Sequence, residues 1–104
     1  MKKLILTLTL GIGMMSITSC RWIHETFYSV EGCTEWYYEE IYEASAQNDT
    51  RKVIKRIEQC EEWCKNMTFE DRCKAGTAAD IWEEANPRKA KIIFNFLAEK
   101  QISW

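Results

Sequence analysis

Cysteine thiols are the side chains of this sequence best suited to chemistry, because a set of them can form disulfides or bind a metal ion. The chain has 104 residues, five cysteines and one histidine, His24. One thiol, Cys20, closes an apolar run, and the other four are Cys33, Cys60, Cys64 and Cys73. In an oxidising compartment, four such thiols in a small domain predict two disulfides. Each bridge would stabilise the fold by about 3 kcal/mol.

Other chemistry finds little support in the residue pattern. Zinc is the competing use of four thiols, but the spacing lacks the paired, short-spaced ligands of zinc modules. His24 has no evident rigid support for a catalytic role, and adjacent carboxylates such as Glu39 and Glu40 point in different directions on a helix. Phosphate-binding glycine loops and nucleophile elbows do not occur. We therefore expect no enzyme activity, no catalytic residue, no metal and no cofactor.

Helical periodicity dominates the part of the chain that must position these thiols. Apolar residues recur at helical spacing in two stretches, and "AQNDTR" between them supplies turn residues, with Asp49 or Thr50 as the N-cap of the second helix. So short a connection predicts an antiparallel hairpin. The apolar positions are Val30, Cys33, Tyr37, Ile41 and Ala44 in the first helix and Val53, Ile57, Cys60, Cys64 and Met67 in the second.

Further helix signals follow the hairpin. "TFED" at 68–71 is a variant of the capping box, and Gly76 before "TAAD" predicts that one helix ends and another begins. Asn86 and Pro87 predict the N-cap and first residue of a final helix. Its apolar stripe should lie against the hairpin, and consists of Ile92, Ile93, Phe96 and Leu97. The fold class predicted is all-α, a small disulfide-stapled helical bundle formed by the hairpin and the C-terminal helices.

Two disulfide pairings fit this hairpin. The turn places Cys33 opposite Cys64, which leaves Cys60 to pair with Cys73 once the chain folds back after "KNMT". A shift of one helical turn gives the alternative, Cys33 with Cys60 and Cys64 with Cys73. A bridge between Cys60 and Cys64 is disfavoured, since side chains at i and i+4 of a regular helix do not meet disulfide geometry.

The first nineteen residues have the pattern of a cleaved secretory signal. Lys2 and Lys3 precede an apolar stretch from Leu4 to Met15. The run to Ser19 would span about 24 Å as a helix, which is short of a bilayer core of roughly 30 Å. We therefore divide the chain into a signal peptide (1–19), a lipid-anchored tether (20–29) and a helical domain (30–104).

The end of that signal resembles the lipobox of bacterial lipoproteins, in the residues Ile17-Thr18-Ser19-Cys20. This resemblance implies a diacylglyceryl thioether and an N-acyl chain such as palmitate on Cys20, and lipid anchors of this number hold a protein stably on a membrane. Ordinary cleavage near Ser19, with a free Cys20, is the alternative. Because Arg21 would occupy the second mature position, the resemblance also implies the bacterial outer membrane, with the domain facing the periplasm.

Acidic and basic residues occupy different segments of the chain, and the net charge limits the class of partner. Six glutamates and no lysine or arginine occur from Glu25 to Glu43, whereas "RKVIKR" at 51–56 and "RKAK" at 88–91 are basic. We expect these opposite faces to attract one another in the fold. The chain carries a net charge of −2, and the signal would remove two lysines, so the balance does not favour nucleic acid as a partner. We also expect no small-molecule substrate.

A second resemblance concerns function. Trp36-Tyr37 heads a charged helix, Cys60 ends that region, and Asp71-Arg72-Cys73 precedes the small residues Ala75 and Gly76. With the lipobox, these features resemble small entry-exclusion lipoproteins of conjugative elements. The resemblance implies a protein that blocks redundant conjugative transfer by binding an envelope or secretion-system protein. Cys33, Cys64 and the final helix depart from that pattern.

Partner binding should concentrate in exposed aromatic side chains. The chain has more aromatic residues than one apolar stripe per helix can bury, so we predict that some lie on the surface. Two alternative functions remain open: a periplasmic inhibitor or immunity lipoprotein acting on a toxin or lysozyme-like hydrolase, and a structural lipoprotein of a secretion complex. The aromatic candidates for partner binding are Trp36, Tyr38, Tyr42, Trp63 and Trp82.

Overall fold

The computed structural model describes residues 21–104, and this part of the chain is a helical bundle without strands. A short N-terminal helix (residues 21–27) precedes four longer ones. These are α1 (Val30–Ala46), α2 (Thr50–Lys65), α3 (Phe69–Ala85) and α4 (Pro87–Lys100). The all-α prediction is confirmed. The predicted signal peptide and the lipidation residue Cys20 lie outside the described residues.

Side-chain caps fix the starts of three helices. The side chains of Ser29, Asp49 and Thr68 accept hydrogen bonds from the backbone N–H three residues later, at 3.0, 3.1 and 3.1 Å. Each bond satisfies a donor that a helix N-terminus would otherwise leave unpaired. The prediction that Asp49 caps the second helix is therefore confirmed, as is the start at "TFED".

The predicted break at Gly76 is wrong, because α3 runs through it without interruption. A glycine that ends a helix usually takes a positive φ, and no described glycine does. Gly76 lies on the exposed side of α3, while Ala75, Ala78 and Trp82 on either side of it are buried. Their packing holds the helix together at the position of weakest helical propensity.

Asn86 and Pro87 mark the boundary between α3 and α4, as predicted. Asn86 occupies the N-cap position of α4, but its side chain does not cap that helix. Its Nδ2 instead donates to the carbonyl oxygen of Trp82 at 2.9 Å and closes α3. Pro87 has no N–H, so α4 begins with one fewer unpaired donor.

Helix α1 is the centre of the bundle and contacts α2, α3 and α4. Its glutamates bind both basic helices: Glu40 lies 3.1 Å from Arg56 of α2, and Glu39 lies 3.1 Å from Lys89 of α4. The predicted attraction between acidic and basic faces is therefore observed. The Glu40 contact also confirms the antiparallel hairpin, since it fits the alignment that sets Cys33 opposite Cys64.

The main core fills the space between α1, the first half of α2, and the facing sides of α3 and α4. Burying one Leu, Ile or Phe side chain contributes roughly 1.5–3 kcal/mol. Most of the predicted stripe of α4 is buried here, while Ile92 is exposed. The residues of the main core are Tyr38, Ile41, Ala44, Val53, Ile57, Trp82, Ala90, Ile93, Phe96 and Leu97.

The chain turns back after α4 and covers one edge of this core. Gln101 takes a left-handed conformation with φ 57°, and the N–H of Ile102 then donates to the carbonyl oxygen of Leu97 at 2.9 Å. This is the pattern of a Schellman cap. It brings Ile102 onto the main core and Trp104 to a ring distance of 4.9 Å from Tyr38. None of the described helices combines the length and apolar character that a membrane span requires.

Candidate functional site

Three of the cysteines meet in a second, smaller core at the start of α1 and the end of α2. Cys33 and Cys60 are buried around the fully buried ring of Tyr37, and Cys64 is half-buried against them. Trp36 and Trp63 cover the sides of this group. We call these six residues the thiol cluster. The predicted hairpin placed Cys33, Cys60 and Cys64 close together, and the three lie in this cluster.

Within the thiol cluster, Cys60 and Cys64 form a hydrogen-bonded pair. The thiol of Cys60 donates to the sulfur of Cys64, which raises the pKa of Cys60 further than burial alone would. The same bond lowers the pKa of Cys64 to about 7, and the guanidinium of Arg72 acts in the same direction. Burial raises the pKa of Cys33 to about 12, with the carboxylate of Glu25 adding to the effect. Within the thiol cluster, Cys64 is therefore the thiol most readily ionised at neutral pH.

No disulfide joins the described cysteines, and Cys73 lies apart from the other three. Cys73 is exposed and lines a shallow pocket with Glu31 and Ile81, whereas its neighbour Arg72 faces the thiol cluster. Side chains of consecutive residues in an α-helix point in directions about 100° apart. The bridges predicted from Cys73 to Cys60 or to Cys64 are therefore not formed, because Cys73 faces the other side of α3.

The N-terminal helix is packed on the thiol cluster, in contrast to the tether predicted for residues 20–29. Arg21 donates to Glu25 at 2.9 Å and to Glu62 of α2 at 3.1 Å. The hydroxyl of Tyr37 donates to Glu25, and burial raises the pKa of this phenol, so it stays protonated. His24, which sequence reasoning left without support, stacks on Trp36 at 4.4 Å with an interplanar angle of 13°.

Next to the thiol cluster, an open groove of about 500 Å³ runs over α1 between α2 and α3. Thr34 and Tyr38 of α1 form its floor, and Trp63, Phe94 and Trp104 provide aromatic walls. We call this the aromatic groove. The remaining lining residues are Cys60, Cys64, Arg72, Ala75, Gly76, Ala79 and Glu83.

Small side chains on α3 keep the aromatic groove open. Ala75, Gly76 and Ala79 share the face of α3 that lines it, and a Cβ built on Gly76 meets no atom within 4 Å. Arg72 and Glu83 lie at opposite ends of this face, separated by about 16 Å at 1.5 Å per helical residue. The groove thus has the length of about three helical turns, an apolar middle and one charge of each sign at its ends.

The five aromatic candidates for partner binding divide according to burial. Tyr38 and Trp82 belong to the main core with ring centroids 4.9 Å apart, and Trp82 Nε1 donates to Glu39 at 3.1 Å. Trp82 therefore cannot act as an exposed anchor, and Tyr38 reaches only the floor of the aromatic groove. Half-buried Trp36 lies between His24 and Arg56, and Tyr42 lies beneath the ammonium of Lys89.

Of those candidates, only Trp63 forms a wall of the aromatic groove. Sequence reasoning missed the other two walls. Phe94 lies outside the apolar stripe predicted for α4, and the helical periodicity of α4 does not show where the chain places Trp104 after the helix ends. The left-handed Gln101 places Trp104 there, and a left-handed glutamine has no sequence signature of its own.

Within residues 21–104, no group of three or more histidine, cysteine or acidic side chains is arranged to hold a metal ion. No protein-family model, curated protein or solved structure matches this chain. Its function therefore has to be argued from the thiol cluster and the aromatic groove.

Proposed function

We propose that this chain is a bacterial lipoprotein, anchored through Cys20 to the outer membrane, whose helical bundle binds an envelope or secretion-system protein. The binding would exclude redundant conjugative transfer into the cell that displays it. The observation that carries the binding role is the aromatic groove, an open apolar channel walled by Trp63, Phe94 and Trp104. Aromatic side chains around a concave apolar floor are the usual energetic centre of a protein interface.

The shape of the aromatic groove specifies the kind of segment it would bind. Its floor is apolar, and Arg72 and Glu83 stand at its two ends. A helix of about three turns with an apolar stripe and an acidic residue near Arg72 would complement both features. The lipobox resemblance of residues 17–20 supports display at the envelope.

A mating assay tests this function, with a pair of substitutions at one position. Recipient cells that express the wild-type chain should receive a conjugative element less often than cells without it. Gly76→Phe should abolish the effect, because a phenyl ring at this open position fills the groove without displacing an atom within 4 Å of its Cβ. Gly76→Ala should retain it, since a methyl group leaves most of the groove open.

Two outcomes would overturn the proposal. If transfer into wild-type recipients is unchanged, entry exclusion is wrong. If Gly76→Phe excludes as well as Gly76→Ala, the aromatic groove is not the binding site. Circular dichroism of both variants should show unchanged helix content, so that loss of function is not loss of fold.

We further propose that a disulfide-bearing thiol oxidant of the envelope takes two electrons and two protons from the thiols of Cys33 and Cys64. The new S–S bond joins α1 to α2, and the oxidant's own disulfide is reduced to two thiols. Cys33 and Cys64 belong to the same cluster, and regular helix geometry disfavours a bridge between Cys60 and Cys64. The bridge would close a loop of about 30 residues and stabilise the fold by about 3 kcal/mol. Mass spectrometry of unreduced peptides should find Cys33 linked to Cys64 and Cys73 free. A linkage of Cys33 to Cys60, or any linkage that includes Cys73, would contradict the pairing.

A further inference from the structure

The N-terminal helix has two chemically different faces. One face holds the helix on the bundle through Arg21, Glu25 and His24. The other face is apolar and open to solvent: Trp22 is 57% exposed, Ile23 39% and Phe27 70%. The rings of Trp22 and Phe27 contact edge to face at 5.4 Å. Large apolar groups gathered on one exposed face usually mark a contact surface.

A fourth exposed apolar side chain lies at the same end of the bundle, close to the turn between α2 and α3. Asn66, in the turn between α2 and α3, lines the same pocket as Trp22. Phe69 follows that turn and is 76% exposed, the most exposed of the large apolar side chains described. We call Trp22, Ile23, Phe27 and Phe69 the basal patch. The antiparallel order of the helices places it at the end of the bundle where α1 begins.

The opposite end of the bundle has a different surface. The turn after α1 there exposes Gln47, Asn48 and Asp49, and the junction of α3 with α4 exposes Glu84 and Arg88. No large apolar side chain is exposed in either segment, 46–50 or 84–88. These two turns are therefore polar, and the exposed apolar side chains nearest to them are Ile81 at 58% and Ile54 at 38%.

We propose that the basal patch lies in the headgroup region of a lipid bilayer and orients the bundle so that α1 points away from the membrane. This inference rests on the membrane attachment proposed above. An acyl chain on Cys20 would be one peptide bond from Arg21, so the N-terminal helix could not lie far from the bilayer. Even without cleavage, the apolar run from Leu4 to Met15 precedes this helix closely.

The composition of the basal patch fits a lipid surface. Amphipathic helices at membranes bury an apolar face rich in Trp, Phe and Leu in the headgroup region, while polar groups face away. The indole of Trp22 suits this depth, since it has an apolar ring and a polar N–H.

Depth-dependent quenching of tryptophan fluorescence tests the proposal on the full-length mature protein. The protein is reconstituted into vesicles of phosphatidylethanolamine and phosphatidylglycerol whose acyl chains carry bromine close to the headgroups. Five tryptophans contribute to the emission. We expect most of the quenched emission to disappear in Trp22→Phe. It should persist in the matched control Trp104→Phe, because Trp104 is exposed but lines the aromatic groove.

A second variant tests the role of the apolar patch itself. Phe27→Glu with Phe69→Glu should abolish quenching of Trp22 while the protein stays bound to the vesicles through its anchor. Both positions are more than two-thirds exposed, so the changes should leave the helix content unaltered.

The outcomes separate this inference from the function on which it rests. If the protein does not sediment with vesicles at all, the proposed attachment fails. If it sediments but quenching is the same in wild type and Trp22→Phe, the attachment stands and the seating of the basal patch is overturned. The patch would then be free to bind a protein.

Discussion

Replacing Cys60 with alanine tests the hydrogen bond that sets the chemistry of the thiol cluster. The thiol of Cys60 donates to Cys64 and lowers the pKa of Cys64 to about 7. Alanine removes this donor, so the Cys64 thiolate loses its largest stabilising contact. We expect its pKa to rise to the ordinary cysteine value of about 8.5 or above it, because burial of Cys64 raises the pKa by more than the nearby Arg72 lowers it.

The expected change in reactivity follows from the thiolate population. At pH 7, about half of Cys64 is ionised in the wild type, against about 3% at a pKa of about 8.5. The thiolate that remains is more basic and therefore about 4-fold to 5-fold more nucleophilic. Reaction of Cys64 with a disulfide at pH 7 should therefore slow at least about 3-fold. The midpoint of its pH profile should move from about pH 7 to about pH 8.5 or above.

Alkylation of the fully reduced protein, read by peptide mass spectrometry, measures this profile at Cys64 separately from the other thiols. Cys60→Ser is the matched control, because its hydroxyl can still donate and should keep the midpoint low. Exposed Cys73, in the same samples, serves as an internal reference for reagent strength. Equal midpoints in wild type and Cys60→Ala would refute the role of the hydrogen bond, and so would a wild-type midpoint above that of Cys73.

Three stability predictions follow from the bundle, each measured by urea unfolding followed by circular dichroism. Gly76→Ala should raise the free energy of unfolding by about 1 kcal/mol, because α3 is continuous there and the new methyl group meets no atom; a decrease would show that α3 breaks at this position. Gln101→Gly should raise the free energy of unfolding by about 0.5 kcal/mol. Glycine relieves the strain of the left-handed backbone at this position, and this gain exceeds the cost of the added freedom that glycine gives the unfolded chain. A decrease in the free energy of unfolding would contradict the cap. Arg56→Ala should lower the free energy of unfolding by about 2 kcal/mol, since this buried guanidinium binds Glu40 and Gln59. Lys52→Ala is the control. The partly exposed ammonium of Lys52 lies 4.0 Å from Glu40, so its loss should change the free energy of unfolding by less than about 0.5 kcal/mol.

Helix starts could be predicted from the sequence because their signals are local. Asp49 and Thr68 cap their helices within three residues of themselves, so no knowledge of the rest of the fold was needed. The break expected at Gly76 shows where local signals fail. A glycine costs a helix about 1 kcal/mol, and burial of Trp82 and its neighbours on the same helix outweighs that cost.

The exposed aromatic residues were harder to predict because burial depends on how many helices surround α1. The prediction assumed that each helix buries one apolar stripe. Helix α1 instead contacts three helices and buries side chains on more than one face. Tyr37 lies in the thiol cluster, and Tyr38, the next residue, lies in the main core. Periodicity within α1 could not show that both positions would be covered, and so Tyr38 was expected at the surface.

The N-terminal helix illustrates a dependence on tertiary contacts. The prediction was a tether over residues 20–29, next to the anchor, but residues 21–27 form a helix. Seven residues are too few for a stable helix in isolation. Its stability comes from the ion pairs of Arg21 and the stacking of His24 on Trp36. Trp36 lies 12 residues from His24 in sequence, and Glu62 lies 41 residues from Arg21, so local analysis could not find these two contacts.

Trp63 lies between the two proposed contact surfaces, in the wall of the aromatic groove and next to the basal patch. Trp63 lines the aromatic groove on one side and the pocket beside Trp22 and Asn66 on the other. A shift of the N-terminal helix on a membrane would therefore press on the wall of the groove. Substitution of Trp63 would disturb both surfaces and could not assign a function to either. Gly76 and Phe27 each belong to one surface alone, so their variants can separate partner binding from membrane seating.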